Sequence, residues 1–486
     1  MFKFKRMIKA GAMVTAAALS VSILAACGQK SANDKDEQGR TILTVGNWPD
    51  REGAALTQLE EQKTRFEKDN PDVVIERDYW SFDRKTFYAK AAGGTLPIYF
   101  RAQFTEVEEM GSSNYAADLT EPMKKYGYLD NINPAVLKCV TSNDKIVAVP
   151  FKAAILGLSY NVDLFEKAGL MEADGTPKQP KDWNEVVEFA KQIKEKTGQP
   201  GIVLPTTDRS GGWIFTSVAW SFGVNFMQQQ DDGKWKATFN TPEAEEALQW
   251  VKDLKWKYDL LPSNTLIDGE EWYRIFGTGN AGMSIMAGDY PKRVVSYGMR
   301  PEQVGIMATP AGPKAHVTLL TGDVNAVSSK ATDNQVDAAM RWIKTISTYE
   351  ATDEFKKNTE DSIKKDLADG KLVGIKVFSP WKNDASAVKF EHELIDKYSN
   401  ANPNHVRLYN EFVANCPIEL RAEEPVCCQE LYAVLDNCIQ EVLTNENADC
   451  AAVLEKANSD FQHNSLDNRV NPKFCVNSLL NLRNDV

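Results

Sequence analysis

Residues 41–75 read TILTVGNWPDREGAALTQLEEQKTRFEKDNPDVVI. Thr41 to Val45 is a β-branched, alternating run, the pattern of a strand. Asp50 to Phe66 then places Leu56, Leu59 and Phe66 at helical spacing and stops before Asn70-Pro71. Val73-Val74-Ile75 is a second strand-like run. A strand, a helix and a strand in that order predict a parallel βαβ unit and an α/β fold.

The middle of the chain repeats this grammar. Ile146 to Pro150 and Leu156 to Tyr160 read as two strands. Asp182, followed three residues later by Glu185, predicts a capped helix start. Trp183, Val186, Val187, Ala190 and Ile193 form its apolar face, and Gly198 and Pro200 end it. Thr241-Pro242 opens another helix, with Thr as the cap and Pro at the first helical position. Met283 to Met286 and Val304 to Ala308 read as short buried strands, and the chain after Thr332 as mostly helical.

Toward the N-terminus, Lys3, Lys5, Arg6 and Lys9 precede an uncharged, Ala-rich run from Ala10 to Ala26, which ends in Leu24-Ala-Ala-Cys27-Gly28. This is the layout of an export signal. Leu-Ala-Ala-Cys resembles the lipobox of bacterial lipoproteins, which implies lipidation at Cys27 and a mature chain outside the cytoplasm, held at the cell membrane by its lipid. Residues 1–26 are then the signal peptide. Residues 27–40, polar and charged, read as a flexible tether.

The formal net charge of the 486 residues is −12. Loss of the four basic residues of the signal makes the remainder more acidic still. Nucleic acid, which needs clustered Lys and Arg, is excluded as a partner. A chain of this length is expected to divide its core between lobes. Besides Cys27 there are seven cysteines, six of them after residue 415. Their spacings contain no zinc pattern, so buried thiols or structural disulfides are expected. There is no phosphate-cradling Gly-rich loop, no GxSxG elbow and no two-His metal spacing. Gly93-Gly94 and Gly211-Gly212 read as turns, and the paired carboxylates as solvated helix faces. No enzyme, metal or cofactor is expected from these features.

Aromatic residues are abundant, with 11 Trp, 15 Tyr and 21 Phe. Trp48, Tyr79-Trp80, Trp213, Tyr290 and Trp381 sit beside Gly, Pro, Asn, Asp or Ser in expected loops, where an aromatic can stack on the apolar face of a sugar ring. Trp183, Trp250, Trp256 and Trp342 fall on helices and read as core.

Phe151-Lys-Ala-Ala-Ile-Leu-Gly-Leu-Ser-Tyr-Asn161-Val-Asp-Leu-Phe165-Glu-Lys-Ala-Gly169-Leu, followed by Pro180-Lys-Asp-Trp183, resembles a signature of extracellular solute-binding proteins of bacterial ABC importers. The resemblance is to the sugar-binding group that includes maltose-binding protein. Ala91 to Pro97, Phe239 to Leu248 and Gly277 to Gly288 agree with it. Pro97-Ile98-Tyr99 departs from the usual Pro-Asp turn, and the last 130 residues match loosely.

The resemblance implies two α/β lobes of the periplasmic-binding-protein type, with mixed sheets flanked by helices and two or three hinge crossings. Those crossings are expected near Lys152–Ile155, Val304–Ala308 and Asn325–Ser329. Lobe 1 is expected over residues 41–152 with 306–328. Lobe 2 is expected over 153–305, joined by much of 329–486. A sugar, expected to be an oligosaccharide, would lie between the lobes, delivered to transmembrane permease subunits by a monomeric receptor. The implied ligand contacts are Asn47, Trp48, Asp50, Arg101, Gln103, Trp213, Asp289 and Tyr290, with Trp381 added from its loop setting. Should the ligand carry a carboxylate, Arg101 would pair with it. A surface glycan hydrolase and an adhesion or structural ectodomain are the competing readings.

Overall fold

The computed structural model describes residues 34–470. The expected signal peptide, Cys27 and Cys475 lie outside those residues. The last part of the expected tether, residues 34–40, folds as a turn. Asp36 Oδ1 accepts from the Gln38 and Arg40 N–H groups at 3.0 and 2.9 Å, and Lys35 bridges Thr41. One Asp side chain closing a turn explains why so polar a segment orders.

Strand β1 (Thr41–Val45), helix α1 (Ala54–Asp69) and strand β2 (Val73–Arg77) form the parallel unit, in register from Thr41 opposite Val73 to Val45 opposite Arg77. Leu43, Val45, Val73 and Ile75 are its buried apolar strand residues. Helix α2 (Arg84–Gly93) starts at Asp83, whose side chain accepts from the Thr86 N–H. It leads to β3 (Tyr99–Gln103), parallel to β1. Strand β4 (Ala148–Asn161) runs unbroken for 14 residues where the sequence suggests two strands. Next come α3 (Trp183–Thr197), α4 (Ser210–Phe222) and α5 (Pro242–Trp256), then β5 (Met283–Ala287), β6 (Val304–Ala308) and β7 (Val317–Val327). Asp182 caps α3, accepting from the Asn184 and Glu185 N–H groups at 2.9 Å. Thr241 caps α5 through the Ala244 N–H, with Pro242 in the first turn.

The eight-stranded sheet has the order β6-β4-β7-β3-β1-β2, with β5 also pairing β4. Its two halves meet within β4. Residues 148–155 pair antiparallel with β7, whereas 156–161 pair with β5 and β6. The partner change falls at Ile155/Leu156, where this strand passes from one half of the sheet to the other. The other two expected crossings move. Strand β6 pairs only with the second half of β4, and the chain passes over after it, through residues 309–316. Asn325 and Val327 pair with Arg101 and Tyr99 of β3 and lie well inside the first lobe.

Farther along the chain come α6 (Asp333–Ile346), α7 (Asp353–Ala368), α8 (Ser386–Tyr398), α9 (Pro403–Asn415), β8 (Glu419–Ala422), α10 (Cys428–Thr444) and α11 (Cys450–Phe461). Helix α6 packs on β1 of the first lobe. Helices α9, α10 and α11 pack on the second, against β6, α4 and α5. Strand β8 joins the start of β7. Helices α7 and α8 pack on each other around a small core of Ile363, Val373, Leu394 and Ile395, separate from the main one.

Two local features reach the cleft between the lobes. Gly211-Gly212, expected as a turn, instead forms the first turn of α4. A Cβ on Gly212 would lie 2.2 Å from the Tyr432 carbonyl oxygen, so the missing side chain lets α4 and α10 touch. In β4, Phe151 is the extra residue of a bulge, because Lys152 faces Asp323 while Pro150 faces Val324. A bulge re-aims a side chain, here at the cleft wall.

Cys139, Cys428, Cys438 and Cys450 are buried thiols. Burial pushes Cys139 and Cys438 up to about 12, which leaves both protonated and inert at neutral pH. Trp183, Trp250 and Trp342 are buried, and Trp256 is half-buried with its indole N–H donating to the Val442 carbonyl at 2.8 Å. Among the described residues, no helix is long and apolar enough to cross a membrane.

Candidate functional site

A cavity of about 1460 Å³ lies between the lobes. Seven of the nine expected contacts line it: Asn47, Arg101, Gln103, Trp213, Asp289, Tyr290 and Trp381.

Trp48 and Asp50 do not. Trp48 is 1% exposed and donates its indole N–H to Glu60 Oε1 at 3.1 Å. The cause is Asn47, which adopts a left-handed conformation at φ 61°. That turn sends Trp48 inward beneath Arg77, whose guanidinium carbon lies 5.9 Å from the ring. Asn47 itself faces the cleft, and its Oδ1 accepts from the Arg101 N–H at 3.2 Å. Asp50 is exposed and outside the cavity wall.

The first lobe contributes Arg101 on a built support. Its guanidinium carbon sits 3.9 Å from the centre of the Phe151 ring, and its Nε donates to the Tyr99 hydroxyl at 3.2 Å. Tyr99 in turn donates to Asn325 Oδ1 at 2.8 Å, in the buried sheet. No described carboxylate forms a salt bridge with Arg101. A guanidinium held this way in the cavity wall can bond paired hydroxyls or an oxyanion. Beside it, Gln103, Asp323 and Lys152 form one cross-strand row, through the Asp323–Gln103 and Asp323–Lys152 registers.

The second lobe contributes the aromatic surface. The Trp213 and Tyr290 rings lie 5.8 Å apart and tilted by 42°. Tyr290 also meets Tyr273 edge to face at 5.4 Å and Trp272 at 6.0 Å. Helix α10 fixes the Trp213 turn. Asp436 accepts from the Gly212 N–H at 2.7 Å and the Arg209 N–H at 2.5 Å. Its burial pushes the carboxyl up to about 6, against those two bonds. Trp381 lines the cavity with one ring face stacked on Tyr128 at 5.4 Å.

Several wall residues escaped the sequence reading. Phe151 and Lys152 sit in the hinge strand and become cleft residues only through the bulge. Glu423 belongs to a Glu-Glu pair of the kind read as solvated. It lines the cleft, accepting from Tyr432 at 3.0 Å and Thr321 at 3.1 Å. Burial pushes its carboxyl up to about 7, with Asp323 and Glu106 adding repulsion against its two donors. Asp289 opens onto cleft water, yet the protein around it desolvates its carboxyl and raises its pKa. The cations Lys152, Lys292 and Arg293 partly offset that. Asp323 is raised for the same reason, with Lys152 and Arg101 opposing. Among the described residues, no group of His, Cys, Asp and Glu is placed to hold a metal ion.

Comparison with known proteins agrees with this architecture. The sequence profile of the bacterial extracellular solute-binding protein family matches residues 49–353, and the chain belongs to that family. A binding protein of Brucella abortus is 25% identical over 293 residues, covering 57% of this chain and 64% of its own. The match therefore spans a little under two thirds of that relative. The multiple sugar-binding protein of Streptococcus mutans is 23% identical over 197 residues, covering 40% of this chain and 42% of its own. Among solved structures, maltose-bound MalE3 of T. maritima superposes with a TM-score of 0.63 at 23% identity, covering 87% of this chain and 99% of its own. The cyclic α-maltosyl-1,6-maltose binding protein of Arthrobacter globiformis gives 0.64 at 21% identity, covering 87% and 98%. These likenesses establish the two-lobed fold.

Proposed function

We propose that this solute-binding protein captures a sugar, an oligosaccharide by preference, in its interlobe cleft and delivers it to the permease of an ABC importer. It would act from the outer face of a membrane, held there by lipidated Cys27. The observation that carries the reading is one cavity with an aromatic surface on one wall and an oriented guanidinium on the other. Trp213 and Tyr290 offer faces for sugar rings. Arg101, Asn47, Gln103 and Asp289 offer donors and acceptors for hydroxyls. Relatives named for multiple sugars and for mannitol support the same ligand class.

The mechanism is a hinge equilibrium. A ligand touching both lobes binds the closed form better and shifts the population toward it. Moving from 1:99 to 99:1 takes about 5.5 kcal/mol of differential affinity. Ring stacking on the second lobe combined with charge-assisted bonds from the first is suited to supply it. Strand β4 is the natural pivot, since its neighbours change within one residue step. Residues 41–155 with 317–328 and α6 would move against 156–308 with α9 to α11. Two acyl chains at Cys27 would hold the receptor stably where one gives only marginal binding.

The test is calorimetric titration of the purified soluble chain with panels of neutral and acidic oligosaccharides, alongside chromatography for product. Saturable binding without turnover is expected. Release of shorter sugars would overturn the reading in favour of a hydrolase, and absence of binding across the panels would overturn it altogether. For the anchor, Cys27→Ser should abolish incorporation of labelled fatty acid. Persistent labelling would refute it.

A further inference from the structure

We propose that the α7–α8 hairpin forms a third wall of the ligand site and supplies an additional saccharide subsite, so that it reads the length of the oligosaccharide. The proposal rests on the saccharide reading above. Four observations carry it.

First, the hairpin carries a small core of its own beside the main one. Ile363, Val373, Leu394 and Ile395 make that core, with Leu367, Phe390 and Tyr398 packed around it, while Val388 of α8 joins the main core. Second, it is tied to both lobes by ion pairs. Glu354 meets Arg65 of α1 at 2.8 Å, and Asp366 meets Lys292, just after β5, at 3.5 Å. The Arg65–Glu354 pair is about half exposed at both ends. An exposed pair of this kind is worth about 0–1 kcal/mol, so the Arg65–Glu354 link to the first lobe is cheap to rearrange.

Third, the hairpin lines the same cavity as Trp213 and Arg101. Phe355 and Asn358 of α7 and Glu391 of α8 are in its wall, together with Gln58 and Leu59 of α1. The chemistry of this set fits a sugar. The half-buried Phe355 ring is held by Phe390 at 6.5 Å, edge to face, and presents a flat apolar surface. Gln58 and Asn358 are exposed, and neither side chain has a hydrogen-bond partner among the described residues. A primary amide both donates and accepts, which matches adjacent hydroxyls. Glu391 forms no salt bridge among the described residues and can accept from a further hydroxyl. Fourth, the cavity of about 1460 Å³ exceeds the roughly 300–1,000 Å³ typical of a site for one small ligand.

The experiment is calorimetry on the described chain, free of its signal segment, with malto-, cello-, xylo- and chito-oligosaccharides of two to six rings. In whichever series the wild type binds, affinity should rise with length beyond the disaccharide. Phe355→Ala combined with Asn358→Ala should weaken the longest bound member tenfold or more and the disaccharide less than twofold. Glu391→Gln, nearly isosteric, should lower the same long-ligand increment and covers the case in which the double variant unfolds. A wild type that binds disaccharide and hexasaccharide equally, or variants that weaken both alike or neither, would overturn the subsite while leaving the saccharide reading intact. No binding to any series would overturn both.

Discussion

Glu423→Gln should stabilise the protein in a pH-dependent way. Glu423 lies in the cleft wall between Thr321 of the first lobe and Tyr432 of the second, and burial pushes its carboxyl from the ordinary 4.5 to about 7. The fold therefore favours the protonated acid. Below pH 4.5 the acid is neutral in both folded and unfolded chains and contributes nothing to the pH dependence. Between 4.5 and 7 the unfolded chain ionises first, so the folded state loses stability as pH rises; above 7 the full penalty is present. At 1.36 kcal/mol per tenfold change in proton affinity, that interval corresponds to about 3 kcal/mol. Glu423 is partly open to cleft water, and screening brings the figure to about 1–3 kcal/mol. Glutamine keeps an acceptor for one of the two donors and carries no charge. Its own rearranged hydrogen bonds add an offset of about 1 kcal/mol that does not vary with pH. Asp289, Asp323 and Asp436 titrate in wild type and variant alike and cancel to first order in the difference. The assay is urea denaturation of both proteins at intervals from pH 4.5 to 8.5. The stability difference, variant minus wild type, should climb with pH and level off near 8. A flat difference across that range would refute a buried, raised carboxyl at this position.

Other expectations follow from the same structure. Trp213→Ala should weaken sugar binding by about thirtyfold or more, the loss of a buried aromatic anchor of about 2 kcal/mol, while the ligand-free melting temperature moves little; calorimetry and melting read the two separately. Trp48→Ala should do the reverse, losing about 3–5 kcal/mol of stability as a core truncation with near-normal affinity in the folded fraction, and a selective loss of affinity would return Trp48 to the ligand site. Gly212→Ala should destabilise by about 1–3 kcal/mol, because its Cβ would press on the Tyr432 backbone, and should weaken ligand binding by displacing Trp213. Wild-type stability there would show that α4 and α10 separate easily.

What the sequence disclosed was local chemistry. The β1-α1-β2 unit, the Asp182 and Thr241 caps and the buried strands at 283–287 and 304–308 follow from residues adjacent in the chain. Trp48 was misjudged because its direction depends on a left-handed Asn47, a backbone state that Asn tolerates but its letter does not announce. The strand from 148 to 161 looked broken because Phe151-Lys152 interrupts the run of small and aliphatic residues. That interruption is a bulge, visible only once Asp323 and Val324 take their places opposite. Glu423 looked like a solvated pair because its burial comes from Thr321 and Tyr432, 102 and 9 residues away. The α7–α8 wall was illegible for another reason. Its helices are mostly polar on the outside, and nothing in their periodicity says that two exposed amides from distant elements share a cavity.

Polar links between the lobes raise a question for the proposed hinge motion, since a charge stranded in the interior is far more costly than a broken surface pair. The arrangement around Arg84 answers it. Arg84 of α2 contacts two carboxylates, Glu106 of the first lobe and Glu430 of α10. Glu106 is 1% exposed, and it also accepts from Tyr88 and from the Thr105 hydroxyl. Burial raises its carboxyl, and Arg84 is the principal group holding it down. Glu430 is 33% exposed at its side chain. Removing one partner of a buried pair costs about 3–5 kcal/mol, whereas an exposed pair is worth about 1 kcal/mol or less. Lobe motion acts on the Arg84–Glu430 contact, because only that one joins elements of different lobes. The contact that would be expensive to break travels with the first lobe as a unit. Glu430, when released, meets water. The Arg84–Glu430 contact is two-pronged and partly buried at both ends, so breaking it costs between the roughly 1 kcal/mol of a surface pair and the roughly 3–5 kcal/mol of a buried one, still below the roughly 5.5 kcal/mol that would reverse the population in the proposed hinge equilibrium.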